Sequence, residues 1–528
     1  ATIFIRPDGN IEPPTAPILR IGDLYIITDN IYESIVIQRN NMTLDGAGFT
    51  IQGGGEGNGI ELADITNVTI ANAVVCKFNF GIYVNCSSEI KMFNNLITEI
   101  SWGAGIEIVN SSNNTVFDNN ISTISWGAGI QLSASSNNTL RRNNVDTVYM
   151  GSGIHFLGSS DNNISDNCLT RANSGMSFDN SFRNDMSSNN IVENTDQGVI
   201  FSNSSNNDII GNFISANNIE GIVLSASSNN SILGNNITRH SYNGILVCLR
   251  SFNNSIVSNN LYDNDYAGIL NSYSNHTSLI DNEITSSQLG ILFWNSANSM
   301  IVRNNITAND FYGIGFENSL NNVISHNSFV NNTNQAYNLN SINVWDDDYP
   351  SGGNYWSDQD HGFCADHYRG PDQNEPKSDD SPDGIVDKPY IIDDNNRDRY
   401  PLMKPYAGSH DIGIINVTTS KTVVGQNYNI SSNVRIINYG MELETFNVTI
   451  QMNLTKIQTQ KTALDVRNSI TVTFTWTIPS AFQGNYTIIA YAEPVQDEID
   501  ITDNTYINGW VFVTIPGDIN GDKVVNIK

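Results

Sequence analysis

A glycine followed by an apolar residue returns about every 23 residues from Gly59 to Gly313. A repeat of that length restricts the chain to a solenoid whose coils bury their apolar faces against one another. The series reads GIEL at Gly59, GIYV at Gly81, GIEI at Gly105, GIQL at Gly129, GIHF at Gly153, GMSF at Gly175 and GVIF at Gly198. It continues with GIVL at Gly221, GILV at Gly244, GILN at Gly268, GILF at Gly290 and GIGF at Gly313. Each period holds three short runs of alternating apolar residues, for example GIQL, NTLRRNNV and VYMGSG around Gly129. Alternation over so few residues predicts half-buried strands joined by sharp corners. Three such strands in about 23 residues fit one coil of a parallel β-helix, with about 4.8 Å between coils.

Two columns of asparagine support that reading. One is placed at Asn95, Asn120, Asn144, Asn167, Asn190, Asn212, Asn236, Asn260, Asn282 and Asn305. The other follows the SSNN corners at Asn114, Asn138, Asn162, Asn184, Asn207, Asn230, Asn254 and Asn322. Asparagine tolerates left-handed backbone angles, and identical amides stacked coil on coil hydrogen-bond along the axis, so both columns read as structural.

Lys and Arg number 25 against 54 Asp and Glu, a net charge of −29 that disfavours nucleic acid and anionic membrane surfaces as partners and favours cations. With 15% charged and 39% hydrophobic residues, the chain reads as a folded solenoid with a polar, uncharged surface. No stretch reads as a membrane span. The chain starts at Ala1 with an apolar strand and no basic segment, which reads as an extracellular product after signal-peptide removal. Cys76, Cys86, Cys168, Cys248 and Cys364 include no CxxC pair and read as small apolar side chains, with Cys364 a candidate for linking subunits and any pairing left open. Asn-x-Ser/Thr sites are dense and predict surface glycosylation at Asn41, Asn67, Asn85, Asn110, Asn113, Asn137, Asn203, Asn229, Asn253, Asn275, Asn416, Asn429, Asn447, Asn453 and Asn485. The sites at Asn120, Asn236 and Asn305 are expected to lie in the buried asparagine stack, out of reach.

The predicted organisation is all-β: a right-handed parallel β-helix followed by an immunoglobulin-like β-sandwich. Residues 1–55 read as an N-terminal cap with the first coils, 56–344 as the repeats, and 345–408 as an acidic, aromatic closing region. Residues 409–515 read as the sandwich, from alternating runs such as YNISSNVRIINYG, SITVTFTWTI and YTIIAYAEP, and 516–528 as a distinct tail. The repeats with SSNN corners, closed by GGNYWSDQD, DGIVDKPY and DRYPLMKP, resemble the NosD-like, PbH1-type right-handed β-helix family common in secreted archaeal proteins. Residues 409–515, with HDIGIINV, NYG, TFTWTIP, GNYTIIAYA and DITDN, are similar to the CARDB sandwich of extracellular adhesion proteins. GDINGDKVVNIK resembles the first half of a dockerin repeat.

Two segments are candidates for calcium, the first incomplete by itself and the second with a solvated acidic loop as the alternative. In the tail, Asp518, Asn520, Asp522, the Val524 carbonyl and Asn526 take ligand positions 1, 3, 5, 7 and 9 of an EF-type loop, although Lys523 stands at the turn-glycine position and the acid of position 12 is missing. In SDDSPDGIVD, Asp379, Ser381, Asp383 and Asp387 surround a turn at Gly384 with hard oxygen ligands. The run Asp346, Asp347 and Asp348 reads as solvated.

Aligned on the glycine, the outward position two residues later is Glu61, Tyr83, Glu107, Gln131, His155, Ser177, Ile200, Val223, Leu246, Leu270, Leu292 and Gly315. Glu61 and Glu107, about 10 Å apart with Tyr83 between them, are too few acids for a glycosidase pair, and His155 has no acid partner in its column. No catalytic residue is therefore assigned. Ile200, Val223, Leu246, Leu270 and Leu292 form an outward apolar stripe and are assigned to an interface. Tyr242, Tyr266, Trp294, Phe311 and Tyr312 extend it, while Trp102 and Trp126 stack in the first half; interface packing or sugar stacking accounts for these aromatics. The expectation drawn from the sequence is a non-enzymatic, calcium-stabilised glycoprotein of an archaeal cell surface that assembles with itself as an S-layer, sheath or filament and contacts cell-surface glycans. The alternative is a carbohydrate-active enzyme or a carbohydrate-binding adhesin on the same scaffold. Copper delivery is disfavoured by seven scattered His and nine Met with no cluster.

Overall fold

The computed structural model describes residues 2–349, 351–361, 366–376, 385–406, 410–438, 442–453, 455–465, 469–496, 498, 501 and 503–515. The chain divides into two compact units, Ala1–Pro405 and Tyr406–Lys528, and no helix occurs among the described residues. The first unit is a right-handed parallel β-helix, built as three long sheets of 16, 14 and 16 strands in which, apart from antiparallel pairs made by Ile11–Glu12 and Ile18–Ile21 at the N-terminal end, strands hydrogen-bond in parallel to their equivalents one coil away.

The repeating glycine has a steric cause. A Cβ placed on any of the twelve, from Gly59 to Gly313, would lie 2.3–2.8 Å from a carbonyl oxygen of the next coil, that of the following glycine or, at the end, of Gln335. At most of them it would also strike an inward branched side chain, such as Ile97 at Gly81 or Ile121 at Gly105. None of the twelve has a positive φ. Close approach of backbone to backbone, rather than an unusual dihedral, keeps the position glycine.

Inside, identical residues stack. Phe156, Phe178 and Phe201 overlap in a column with centroid distances of 4.6 and 4.4 Å, and isoleucines fill most other core positions. Buried corner amides form ladders in which the backbone N–H and the Nδ2 of one Asn both donate to the Oδ1 of the next. Asn138 donates to Asn162 at 2.9 and 3.2 Å, and Asn184 to Asn207 at 2.9 and 3.1 Å. Every amide in the ladder thus satisfies groups that a corner would otherwise bury unpaired. The SSNN column is the one read from the sequence, interrupted after Asn254 by Thr277 and Ser299.

The other column requires correction. The buried ladder runs Asn95, Asn119, Asn143, Asn167, Asn189, Asn212, Asn235, Asn259, Asn282, Asn304, Asn327 and Asn354. Asn120, Asn144, Asn190, Asn236, Asn260 and Asn305 are the neighbours in each Asn-Asn pair; they open the next strand and point outward. The sites at Asn120, Asn236 and Asn305 are therefore not in the buried stack. Two further ladders were not anticipated. Serines from Ser87 through Ser135 and Ser204 to Ser341 donate and accept from coil to coil. A shorter run from Asn194 through Asn217 carries His240 in an amide's place, and burial pushes its imidazole down to about 4.

Both long amide ladders end on a carboxylate. Asn354 N–H donates to Asp398 Oδ2 at 2.7 Å, and the Trp356 indole and the Tyr400 N–H donate to the same side chain. The SSNN ladder passes from Asn343 to Asn396, whose amide donates to Asp393. Burial pushes the Asp398 carboxyl up to about 7 against these three donors. Trp345 and Trp356 close the apolar core beside it. Asp346 is buried here and paired with Arg399 at 2.6 Å, so the expectation that this acid is solvated is corrected: the returning segment brings a guanidinium to it.

The second unit packs a three-stranded sheet, Ile412–Thr419, Asn429–Asn438 and Ser469–Thr477, against a five-stranded one that includes Glu444–Met452, Gly484–Ala492 and Thr505–Thr514. Alternate residues such as Val434, Ile436, Val448, Ile450, Phe474, Ile488 and Val513 fill the space between them, the two-layer arrangement of an immunoglobulin-like sandwich.

Candidate active site

The outward face of the sheet that carries the glycine column brings a set of polar side chains into register. Strand pairing places Glu61, Tyr83, Glu107, Gln131, His155 and Ser177 in one line across successive coils. Two residues further along each strand a second outward line holds Ser133, Leu157 and Asp179. The strands are rigid because every backbone group pairs above and below, so these side chains are held at fixed spacing.

Hydrogen bonds join the two lines. Gln131 Nε2 and Ser133 Oγ donate to Glu107 Oε1 at 3.2 and 3.1 Å. Gln131 Oε1 lies 3.3 Å from His155 Nδ1, and His155 Nε2 lies 2.8 Å from Asp179 Oδ2. With the Gln131 amide placed as its bond to Glu107 demands, both ring nitrogens of His155 face acceptors. The result is a continuous chain, Glu107–Gln131–His155–Asp179, spanning four strands. His155 does have an acid partner. It sits diagonally, in the second line, where a search confined to one column misses it; reading the residue two positions further along each strand would have found it.

Glu107 lies at the floor of this face, 5% exposed. Burial pushes its carboxyl up to about 7, while the bonds from Ser133 and Gln131 pull it down. Burial also raises the Tyr83 hydroxyl, and the nearby carboxylates of Glu107 and Glu61 add to the rise, which places that hydroxyl between the two acids. Glu61 is half-buried and accepts from Asn58 Nδ2 at 3.0 Å. Two acids in unlike surroundings therefore flank one phenol.

Aromatic corners border the face. Trp102 and Trp126 stand five residues before Glu107 and Gln131, and Met150, next to Tyr149, stands five before His155. The indoles are near parallel, 14° between planes with centroids 5.5 Å apart, and are 68% and 46% exposed. That separation means an offset stack, with part of each ring face left uncovered. Gly103, Gly127 and Gly151 let these corners nest, since a Cβ on Gly127 or Gly151 would meet the carbonyl of the glycine one coil before.

From Ile200 onward the same line is apolar. Ile200, Val223, Leu246, Leu270 and Leu292 pair strand to strand and cover one another; Val223 is buried and the others are half-buried. Of the expected calcium ligands, Asp379, Ser381, Asp383, Asp518, Asn520, Asp522, Val524 and Asn526 lie outside the described residues. Asp387 accepts the backbone N–H groups of His367 and Tyr368 at 2.8 and 3.0 Å. Among the described residues no three His, Cys, Asp or Glu side chains converge on a metal position. The glycosylation candidates Asn41, Asn67, Asn110, Asn113, Asn137, Asn203, Asn229, Asn253, Asn429, Asn453 and Asn485 are exposed, and Asn85, Asn275, Asn416 and Asn447 half-buried. Cys76 is buried whereas Cys86 is exposed; Cys364 lies outside the described residues.

Comparison with known proteins agrees with the architecture. A family described as the periplasmic copper-binding protein NosD matches residues 128–267 and 243–361, and one described as a right-handed beta helix region matches residues 34–184. No curated protein matches the sequence. Among solved structures, the A-module of a mannuronan C-5 epimerase from Azotobacter vinelandii is 15% identical, with a TM-score of 0.40 over 55% of this chain and 91% of its own. A DFA-IIIase from Arthrobacter chlorophenolicus A6, without its lid, is 17% identical with a TM-score of 0.31, covering 49% of this chain and 64% of its own. A CARDB domain from Pyrococcus furiosus, in complex with di-metal ions, is 21% identical with a TM-score of 0.18, covering 21% of this chain and 98% of its own. The expectation of a chain that is not an enzyme is corrected on this point: solved β-helices similar to it are epimerases and a DFA-IIIase. That expectation rested in part on an imidazole with no acid in its own column, and the fold supplies one on the diagonal, Asp179.

Proposed function

We propose that this right-handed β-helix protein is a carbohydrate-active enzyme that cleaves a glycosidic bond on the face running from Glu61 to Asp179. The observation that carries the reading is Glu107, a floor carboxyl raised to about 7 by burial and tied through Gln131 to the His155–Asp179 pair. A carboxyl poised near neutrality is suited to general acid work, and a second, more solvated one nearby to base work.

Glu61 is two strands away from Glu107, about 9.6 Å along the axis at the backbone, which leaves room between substrate and base for the water that inversion uses. In that reaction Glu107 gives its proton to the glycosidic oxygen as the bond from that oxygen to the anomeric carbon breaks. A water adds its oxygen to the anomeric carbon and loses a proton to Glu61. One water is consumed, one new reducing end forms, and exchange with solvent resets both carboxyls. Tyr83 lines the floor between them, and His155 with Asp179 positions Gln131, which holds Glu107. The Trp102–Trp126 pair supplies an apolar surface for a sugar ring.

The test is release of reducing ends from polysaccharides by the wild type and by Glu107→Gln. Activity lost in the variant, with an unchanged melting profile, supports the reading. Equal activity in the two proteins removes it.

A further inference from the structure

The reading above leaves the substrate class open, and the charges around the face decide it. Resting on that reading, we infer that the substrate is an uncharged polysaccharide rather than a polyuronate.

The seven strands from Asn58–Ala63 to Val199–Ser202 place Glu61, Glu107 and Asp179 on their outward side, and His155 is the one basic residue among them. No Lys or Arg occurs in any of these strands. The cations at the flanking corners are each matched by an acid. Arg171 pairs with Asp146 at 2.5 Å, Arg183 with Asp161 at 2.7 Å, and Lys77 stands 4.0 Å from Glu99. Towards the N-terminus, Arg6 pairs with Glu12. His155 itself is held by Asp179.

A polyuronate brings one carboxylate per sugar. Binding several in register calls for guanidinium or ammonium groups aimed at them, since charge-assisted pairs are what recognise carboxylates. Here each would instead meet a surface with three acids and one already paired imidazole, in a chain of net charge −29. An uncharged sugar meets no such opposition. Its CH faces suit the partly uncovered indoles of Trp102 and Trp126, and its hydroxyls suit the Gln131, Ser133, Ser177 and Tyr83 side chains. The corners repeat at the coil spacing of about 4.8 Å, so a polymer lying along the axis meets Trp102, Trp126 and Tyr149 at intervals on the scale of a sugar ring.

The experiment uses the full chain, as wild type, Glu107→Gln and Trp102→Ala/Trp126→Ala. Probes are mixed-linkage β-glucan, xylan and galactomannan on one side, alginate and polygalacturonate on the other. Reducing ends report cleavage, and affinity electrophoresis at 0.05 and about 0.5 M salt reports binding. The expected result is retardation by at least one uncharged polymer, insensitive to salt, weakened about tenfold or more in the double Trp variant and retained in Glu107→Gln. Cleavage or salt-sensitive retention confined to the polyuronates, and dependent on Glu107, overturns the substrate class while leaving the enzyme reading intact. Retention of an uncharged polymer without cleavage of any probe keeps the class and removes the enzyme reading. No retention by any probe overturns the inference.

Discussion

Between Glu61 and Ser177 the outward line of the long sheet carries two acids, a phenol, an amide, an imidazole and a hydroxyl. Between Ile200 and Leu292 the same line carries Ile, Val and Leu. Beneath both halves the scaffold is the same: a glycine that lets coils close to contact, and buried Asn and Ser ladders that satisfy the corners. The difference shows that the outward position is free of the fold. A side chain there contributes little to coil stacking, so its chemistry is available for something else. In the first half it has been arranged into a connected acid–amide–imidazole–acid chain. In the second half it shields the sheet.

Four measurements break or sharpen this contrast, in falling order of effect. Glu107→Gln is expected to lower kcat by about 10³-fold, near 4 kcal/mol of transition-state stabilisation, whereas Leu246→Gln at the equivalent position of the other half leaves it within about twofold. A comparable loss from both would place the site elsewhere. Next, Asn189→Ala and Asn259→Ala, one under each half, are each expected to cost about 2–3 kcal/mol by chemical denaturation, because the backbone N–H of the preceding coil, that of Asn167 or Asn235, loses its acceptor. A large inequality between them would mean that the ladder is not a common support.

The third is a pH profile. Glu107 works as an acid only when protonated, and its carboxyl is raised to about 7. kcat/KM should therefore fall about tenfold per pH unit above that value and level off below it on this limb, with the fall absent in the residual activity of Glu107→Gln. An activity rising through pH 7 to 9 would reverse the acid assignment. The smallest effect is expected from Leu270→Ser, about 1 kcal/mol of stability from a half-buried side chain with no change in activity. A loss of activity with stability intact would show that the apolar half also touches substrate.

Much of this was legible from the chain. The glycine period named a stacked solenoid, and the SSNN column and the line from Glu61 to Leu292 were placed correctly because each coil contributes one residue at a fixed offset from the glycine. Where two asparagines are adjacent, the offset does not say which one turns inward. Six of the ten positions assigned to the other ladder fell on the outward neighbour for that reason. The active face failed to emerge for a related reason: Asp179 reaches His155 on a diagonal, between two lines that the repeat keeps apart in sequence. Asp346 looked like part of a solvated acidic run because Arg399, which pairs with it, is 53 residues away.

What the sequence alone determined is the repeat unit, the all-β class, the coil spacing and the set of residues offered to the outer face. These follow from local periodicity, since a coil can stack only if each period returns the same steric gap. Only the tertiary structure decided which members of that set meet. Hydrogen bonds between Glu107, Gln131, His155 and Asp179 depend on side-chain reach across neighbouring strands, and the rise of the Glu107 carboxyl depends on what covers it. Neither is a property of any single period.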